Sequence, residues 1–120
     1  MDVKELYQIG DFWQDRLRIR DWDVKYEWTH LHELGDKHGT IKWNKVFKSA
    51  VVSVSIPNEL EGYNGVVPNT EVIVVHELLH ILFNYTPLYT EDSLNYNAEE
   101  HALYTVANTL VSMRYKYGKI

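Results

Sequence analysis

The sequence predicts an α+β fold: an N-terminal helix, a three-stranded and mainly antiparallel sheet, and two further helices. Three observations predict this class. Apolar residues recur at helical spacing near the start of the chain, they then alternate with polar residues, and helical spacing returns in the C-terminal half. With 120 residues, the chain is long enough for one core, so we expect a single domain spanning residues 1–120.

Composition excludes several classes of protein. The chain has no cysteine, which rules out disulfides, cysteine-ligated zinc and thiol catalysis. Its net charge of −5 argues against nucleic acid as a partner. No apolar run approaches the length of about 18 residues that a membrane span needs, and the N-terminus lacks the apolar segment of a signal peptide. We therefore expect no membrane association and a cytoplasmic location.

The first helix is predicted to run from about Val3 to Arg20. Asp2 can cap it, and Glu5 follows three residues later, as in a capping box. Apolar residues at helical spacing mark the face that we expect to be buried: Leu6, Ile9, Trp13 and Leu17.

The first strand is predicted within residues 22–29, where apolar and polar residues alternate as in a strand with one buried face. The apolar set is Trp22, Val24, Tyr26 and Trp28. Residues 30–34 follow, and residues 35–39 should then form a turn. His30 and His32 have a spacing that two metal ligands on a strand could use, but we interpret them as residues of a solvated loop.

The next two strands are predicted at Thr40–Asn44, with Ile41 and Trp43 on one face, and at Ala50–Ile56. In the latter, alternation places the aliphatic side chains inward and two serines outward, Ser53 and Ser55. Short connections favour antiparallel pairing. The glycines and prolines of residues 57–68 predict a loop.

The second helix contains the sequence H-E-L-L-H at residues 76–80 and is predicted to run from Asn69 or Thr70, either of which can cap it, to about Tyr85. Histidines four residues apart lie on one helix face and can bind one metal ion together. Glu77 projects about 100° round the helix, within reach of a water on that metal. The flanking residues are almost all apolar, so the helix should be buried, and a metal would give its histidines partners.

The last helix is predicted from about Ala98 to Tyr117, after a polar connection at residues 86–97, and Gly118 is suited to end it. Its apolar stripe should consist of Leu103, Val106, Leu110 and Met113. Measured from that stripe, helical phase points Glu99 towards the core and Glu100 about 100° away.

These motifs resemble those of the gluzincins, the thermolysin-type metallopeptidases. The zincin motif of His76, Glu77 and His80 is followed by nineteen residues and then Glu100. The order of elements is similar to that of minimal gluzincins, especially the small metallopeptidases of phages and prophages that are distantly similar to the ImmA/IrrE proteins. The specific part of the resemblance covers residues 69–111.

The resemblance implies a zinc metallopeptidase that hydrolyses peptide bonds with a zinc-bound water. It implies that His76, His80 and Glu100 bind Zn²⁺ and that Glu77 acts as the general base. The nineteen-residue spacing thus favours Glu100 as the third ligand, whereas helical phase favours Glu99. The implied partner is a peptide or protein substrate, extended along a sheet edge. For a phage protein, the implied location is the cytoplasm of the host cell.

Two features of the site are not assigned by the motif. Tyr104 stands where these families commonly place an Asn or Asp beside the metal site. Four residues are candidates for oxyanion stabilisation: Tyr85, Tyr89, Tyr96 and His101.

The alternative function is a non-catalytic zinc-binding module with a regulatory or interaction role in a phage. A third interpretation is a globular domain without metal. Glu77 favours the peptidase, because a structural zinc site has no use for a base and is closed by a fourth protein ligand.

Overall fold

The computed structural model describes residues 2–35, 37–57, 69–83 and 94–117, the last range with side chains from Asn97 to Lys116. The elements, in chain order, are α1 (Lys4–Arg16), β1 (Asp23–Thr29), β2 (Gly39–Asn44), β3 (Ser49–Ser55), α2 (Thr70–Leu82) and α3 (Leu94–Tyr117). The predicted α+β class and the predicted order of elements are confirmed. Four predictions lie outside the described residues: the loop at 58–68, the helix end at Tyr85, the connection at 86–93, and Gly118.

The sheet is mixed, and β3 is its central strand, in the order β1-β3-β2. β2 pairs with β3 antiparallel, as expected. β1 pairs with β3 parallel, from Asp23 opposite Ser49 to Thr29 opposite Ser55, so the prediction of a mainly antiparallel sheet is wrong for this pair. The physical reason is the connection between β1 and β2, which contains a short 3₁₀ helix at Leu31–Leu34. That connection carries the chain far enough sideways for β3 to enter between the two strands.

The central position of β3 explains why residues on both of its faces are buried, although Val51 is 37% exposed. Val52 and Val54 are fully buried, as predicted. Ser53 and Ser55 lie on the opposite face, as alternation requires, but they too are buried rather than exposed to solvent. The hydroxyl of Ser53 donates a hydrogen bond of 2.7 Å to Oε1 of Glu27 on β1. Glu27 of the flanking strand β1 therefore contacts the polar face of β3.

α1 ends at Arg16, before its predicted end at Arg20. Arg18 adopts a left-handed conformation with φ of 59°, and the amide of Ile19 donates to the carbonyl of Gln14 at 3.0 Å. This arrangement is a Schellman motif, in which the left-handed position is more commonly occupied by glycine. It stops the helix and directs the chain into β1.

The core lies between the inward face of the sheet and the helices α1 and α2. Its largest fully buried side chains are Leu6, Trp13, Val52, Val54, Val74, Val75, Leu78 and Leu79. α2 contacts α1, β2, β3 and α3, so it is covered on most sides, as its nearly continuous apolar sequence predicts. Within the described ranges, no helix is both long enough and apolar enough to cross a membrane.

α3 begins at Leu94, before the predicted start at Ala98, and packs mainly on α2. Two of the predicted stripe residues, Leu103 and Leu110, pack against the core, and the stripe differs from the predicted one at the other two. Ala107 and Val111 are buried, whereas Val106 and Met113, which were expected in the stripe, are 40% and 42% exposed. The small side chain of Ala107 lets α3 approach α2 closely, and this places the centre of the stripe one residue later than predicted.

A buried carboxylate joins the three helices. Glu71, in the first turn of α2, is 5% exposed. It accepts hydrogen bonds from the indole nitrogen of Trp13 at 2.5 Å, from the hydroxyl of Tyr115 at 2.6 Å, and from the guanidinium of Arg114. Trp13 belongs to α1, and the other two donors belong to the last turns of α3. These contacts, here called the Glu71 cluster, satisfy a charge that the apolar helix could not bury unpaired.

Candidate metal centre

α2 holds the two histidines of the motif in a fixed relation. Asn69, one of the two predicted caps, caps its N-terminus. The side chain of Asn69 accepts hydrogen bonds from the amides of Glu71 at 2.8 Å and Val72 at 3.3 Å. His76 and His80 lie one turn apart, with ring centroids separated by 5.2 Å. Both rings belong to the end of α2 that faces the start of α3.

Glu100 of α3 completes a cluster with the two histidines. Its Oε2 lies 3.0 Å from Nε2 of His76, and its Oε1 lies 3.1 Å from Nε2 of His80. Each of the three residues offers one ligand atom, and these atoms lie within 4.8 Å of one another. Among the residues that the structure describes, this is the one such group of His, Asp or Glu side chains. The three residues predicted as metal ligands are thus brought together.

The observed packing stripe of α3 favours Glu100 over Glu99 as the residue that faces α2. Glu100 precedes the buried Ala107 by seven residues, which places the two within about 20° of each other round the helix. Glu99 is rotated by about 80° from Ala107. Phase favoured Glu99 only because the expected stripe ran through Val106, which is exposed. Oε2 of Glu99 is buried and has no hydrogen-bond partner in the described part of the chain.

The three side chains fit a zinc ion. Imidazole nitrogen and carboxylate oxygen are donors that zinc takes, and ligand atoms at about 2.0–2.1 Å in a tetrahedral site lie about 3.3 Å apart. The two nitrogen–oxygen separations of 3.0 and 3.1 Å are each close to that spacing, but they end on different oxygens of Glu100. A set with one ligand atom from each residue lies within 4.8 Å, from which a bound ion would draw the atoms together. Nε2 of His76 is buried and forms no hydrogen bond of good geometry, although Oε2 of Glu100 is near. A metal ion would satisfy that atom.

Contact with its neighbours fixes the charge of Glu100. Burial alone would raise its pKa, but the imidazoles of His76 and His80 lower that pKa to about 2. For His76, burial alone would lower the pKa, yet the carboxylates of Glu100 and Glu77 raise it. Glu100 is therefore ionised at neutral pH, which is the form that binds a metal, while the histidines must be neutral to do so.

Glu77 lies beside the cluster without belonging to it. The side chain is 5% exposed overall, and its Oε2 lies 3.4 Å from Nδ1 of His76. Burial raises the pKa of Glu77, although the two histidines of the cluster act in the opposite direction. A carboxylate whose pKa is raised towards neutrality is a better general base than an ordinary glutamate.

The cluster lies in a cleft of about 1100 Å³ whose walls come from β2, α2, α3 and the segment between β1 and β2. β2 is the edge strand on this side of the sheet, and its residues Ile41 and Trp43 line the cleft. At the start of β2, a Cβ atom on Gly39 would lie 2.6 Å from Cγ2 of Ile73 and 3.4 Å from Oε2 of Glu77. The absence of a side chain at Gly39 therefore lets β2 approach α2 closely.

Two aromatic rings meet the histidine rings edge-on. Trp43 of β2 lies 6.3 Å from His80 between ring centroids, at an interplanar angle of 70°. Tyr104 of α3 lies 6.1 Å from His76, at 86°. From the sequence, Tyr104 stands out only as a departure from a family pattern, and Trp43 was not predicted as a residue of the site. The alternation that places Trp43 on the same face as Ile41 was the available signal.

Among the described residues, the other candidates from the sequence do not line the cleft. His30 and His32 are exposed, as expected for a solvated loop, and their rings stack with centroids 5.7 Å apart. His101, a candidate for oxyanion stabilisation, is also exposed and is not a cleft residue. The remaining candidates fall outside the described side chains: Tyr85, Tyr89 and Tyr96.

Comparison of the chain with protein-family models, curated proteins and solved structures finds no match. The roles of the residues are therefore inferred from the geometry and chemistry of the site itself.

Proposed function

We propose that this protein is a zinc-dependent peptidase of the gluzincin type, in which His76, His80 and Glu100 bind the metal and Glu77 is the general base. The observation that carries the proposal is the meeting of three ligand atoms from two helices beside a buried carboxylate outside the cluster. A structural zinc site would have a fourth protein ligand. The group found among the described residues has three members, which leaves a position for water or substrate.

Glu77 carries the proton transfers in the proposed reaction. A bound zinc ion would supply Lewis-acid chemistry, lowering the pKa of a water molecule and polarising the scissile carbonyl. Glu77 accepts a proton from the attacking water and later donates it to the leaving amine. Its burial raises the pKa of the carboxyl group, which helps it to hold the proton between the two transfers.

The edge of β2 that faces away from β3 supports a peptide or protein as the substrate. β2 pairs with β3 along one edge, and no strand in the described ranges pairs with its other edge. The same strand lines the cleft through Ile41, Lys42 and Trp43. An extended peptide that paired with this edge would have its backbone hydrogen bonds satisfied and would lie beside the metal ligands.

The substitution Glu77→Gln tests the proposal. Zinc content, measured by atomic absorption, should equal that of the wild type, because Glu77 is not among the ligands. Hydrolysis of a quenched-fluorescence peptide library should fall by about a hundredfold or more, which is the contribution of a general base. The control is Glu99→Gln, which also removes a carboxylate beside a ligand and should leave hydrolysis unchanged. Full activity of Glu77→Gln would refute the role of this residue.

A wild-type protein that binds one zinc ion but cleaves no member of the library would support the alternative, a non-catalytic zinc-binding module. A protein that cannot be loaded with zinc would refute both functions. The phage origin and the cytoplasmic location remain predictions from the sequence.

A further inference from the structure

Each of the two histidine ligands has one aromatic ring set edge-on against it. Both contacts have centroid separations of 6.1–6.3 Å and interplanar angles of 70–86°, within the range of favourable edge-to-face pairs. Trp43 reaches His80 from the edge strand β2, and Tyr104 reaches His76 from α3. The rings thus come from two elements that contact α2 independently.

We propose that Trp43 and Tyr104 are positioning residues that fix the orientation of the two imidazoles for metal binding; together they are called the aromatic clamp. This inference rests on the zinc site of the proposed function. It assigns to aromatic contacts a task that hydrogen-bonded carboxylates or carbonyls perform in many metal sites, where they hold the second nitrogen of a histidine ligand.

The surroundings of His76 show why such a contact is needed. Its Nε2 is the atom that faces Glu100, so its Nδ1 is the nitrogen that could be held by a hydrogen bond. Oε2 of Glu77 lies 3.4 Å from Nδ1, longer than a strong hydrogen bond. Glu77 also has to face the attacking water in the proposed reaction. The ring of Tyr104 restrains His76 without occupying that carboxylate.

The position of Tyr104 on α3 couples the ring to the third ligand. Tyr104 follows Glu100 by one helical turn, so the same helix face presents the carboxylate to both histidines and the ring to His76. Tyr104 is 40% exposed, and its hydroxyl forms no hydrogen bond with any described residue. The ring contact is therefore the interaction through which this residue acts on the site.

The test compares zinc affinity in variants that remove a ring with variants that keep one. Tyr104→Ala and Trp43→Ala should each weaken zinc binding about three- to tenfold, the range expected when one edge-to-face pair is lost. Tyr104→Phe and Trp43→Phe should stay within about twofold of the wild type, because a ring remains. Affinity is measured by competition with a chromogenic chelator, and the visible spectrum of the Co²⁺-loaded protein reports ligand geometry.

Val106→Ala is the matched control, because Val106 lies on the same helix as Tyr104 and is equally exposed at 40%. It should change neither zinc affinity nor the Co²⁺ spectrum. Urea unfolding with and without metal separates positioning from general stability: the stabilisation that zinc adds should be smaller in Tyr104→Ala than in Val106→Ala. The Tyr104 variants alone suffice for the test if Trp43→Ala does not fold.

Unchanged zinc affinity in Tyr104→Ala would overturn the aromatic clamp. Equal weakening in Tyr104→Phe and Tyr104→Ala would also overturn it, since the hydroxyl rather than the ring would then be responsible. A protein that binds zinc with the expected differences but hydrolyses no peptide would refute the proposed function and leave the clamp intact. If the wild-type protein hydrolyses peptides but Tyr104→Ala binds zinc with wild-type affinity, the aromatic clamp is refuted and the proposed function is left intact.

Discussion

Replacement of Glu71 by alanine tests whether its buried carboxylate holds the three helices together. The substitution leaves the indole N–H of Trp13, which is fully buried, without an acceptor. It also leaves the guanidinium of Arg114 without its counter-charge. Tyr115 loses a hydrogen bond as well, but its side chain is 67% exposed and can bond to water instead.

The expected loss follows from these partners. A buried donor left unsatisfied costs about 1–3 kcal/mol, and removal of one partner of a buried ion pair costs about 3–5 kcal/mol. The side chain of Arg114 is 29% exposed, so water reduces the second term. We expect a decrease of about 3–4 kcal/mol in the free energy of unfolding, against a typical total of about 5–15 kcal/mol.

Urea unfolding followed by circular dichroism measures this change, with a chelator present so that metal binding does not contribute. Glu71→Gln should lose about half as much as Glu71→Ala, because the amide oxygen still accepts from Trp13. The control is Glu5→Ala, an exposed glutamate on α1, which should change the free energy by less than about 0.5 kcal/mol. A loss below about 1 kcal/mol for Glu71→Ala would show that the carboxylate contributes little.

Three further predictions concern the metal centre. Glu100→Ala should weaken zinc binding far more than Glu99→Ala in chelator competition, and the reverse order would mean that Glu99 is the ligand. Gly39→Ala should retain zinc but reduce hydrolysis and destabilise the fold by about 1–3 kcal/mol, because its Cβ would meet Ile73 and the carboxylate of Glu77. The free energy of unfolding of the metal-free protein should decrease as the pH rises through the raised pKa of His76. Protonated His76 stabilises the fold, and this stabilisation is fully present only below 6.5, the pKa of histidine in the unfolded chain. Urea midpoints at several pH values would measure this decrease, which should be smaller in Glu100→Gln. With zinc bound, stability should instead increase as the pH rises, because zinc binding releases protons.

Local signals in the sequence were sufficient to locate the elements and two of the three proposed metal ligands. The alternation around Tyr26 marked β1, the cap at Asn69 marked the start of α2, and the spacing of His76 and His80 needs only one helical turn to produce a shared site. Each of these features depends on residues close together in the chain, where the geometry of a helix or strand is fixed by the backbone.

The orientation of α3 could not be predicted in the same way. A hydrophobicity pattern gives more weight to Val106 and Met113 than to Ala107, although the small residue is the one that packs closely on α2. The contact surface of a helix depends on its partner as well as on its own apolar residues. The spacing between the motif and Glu100 was the better guide, and it came from the resemblance to gluzincins rather than from the hydrophobicity pattern.

The order of the strands was also beyond local signals. Alternation shows which side chains share a face, but the pairing of β1 with β3 rather than with β2 depends on where the intervening chain crosses the sheet. For the same reason, the burial of Ser53 and Ser55 could not be foreseen, since an edge strand would have left them in solvent.

α2 and α3 run antiparallel and are joined by polar groups at both ends, through the Glu71 cluster at one end and through Glu100 at the other. Between residues 100 and 114, α3 advances fourteen residues, or about 21 Å. Inserting or deleting one residue in this interval would turn one of the two contacts by about 100° relative to the other. Natural variation should therefore exchange the exposed residues of this interval freely but preserve its length. A distant relative could be recognised by the fixed number of residues between the counterparts of Glu100 and Arg114, even where little else of the sequence is shared.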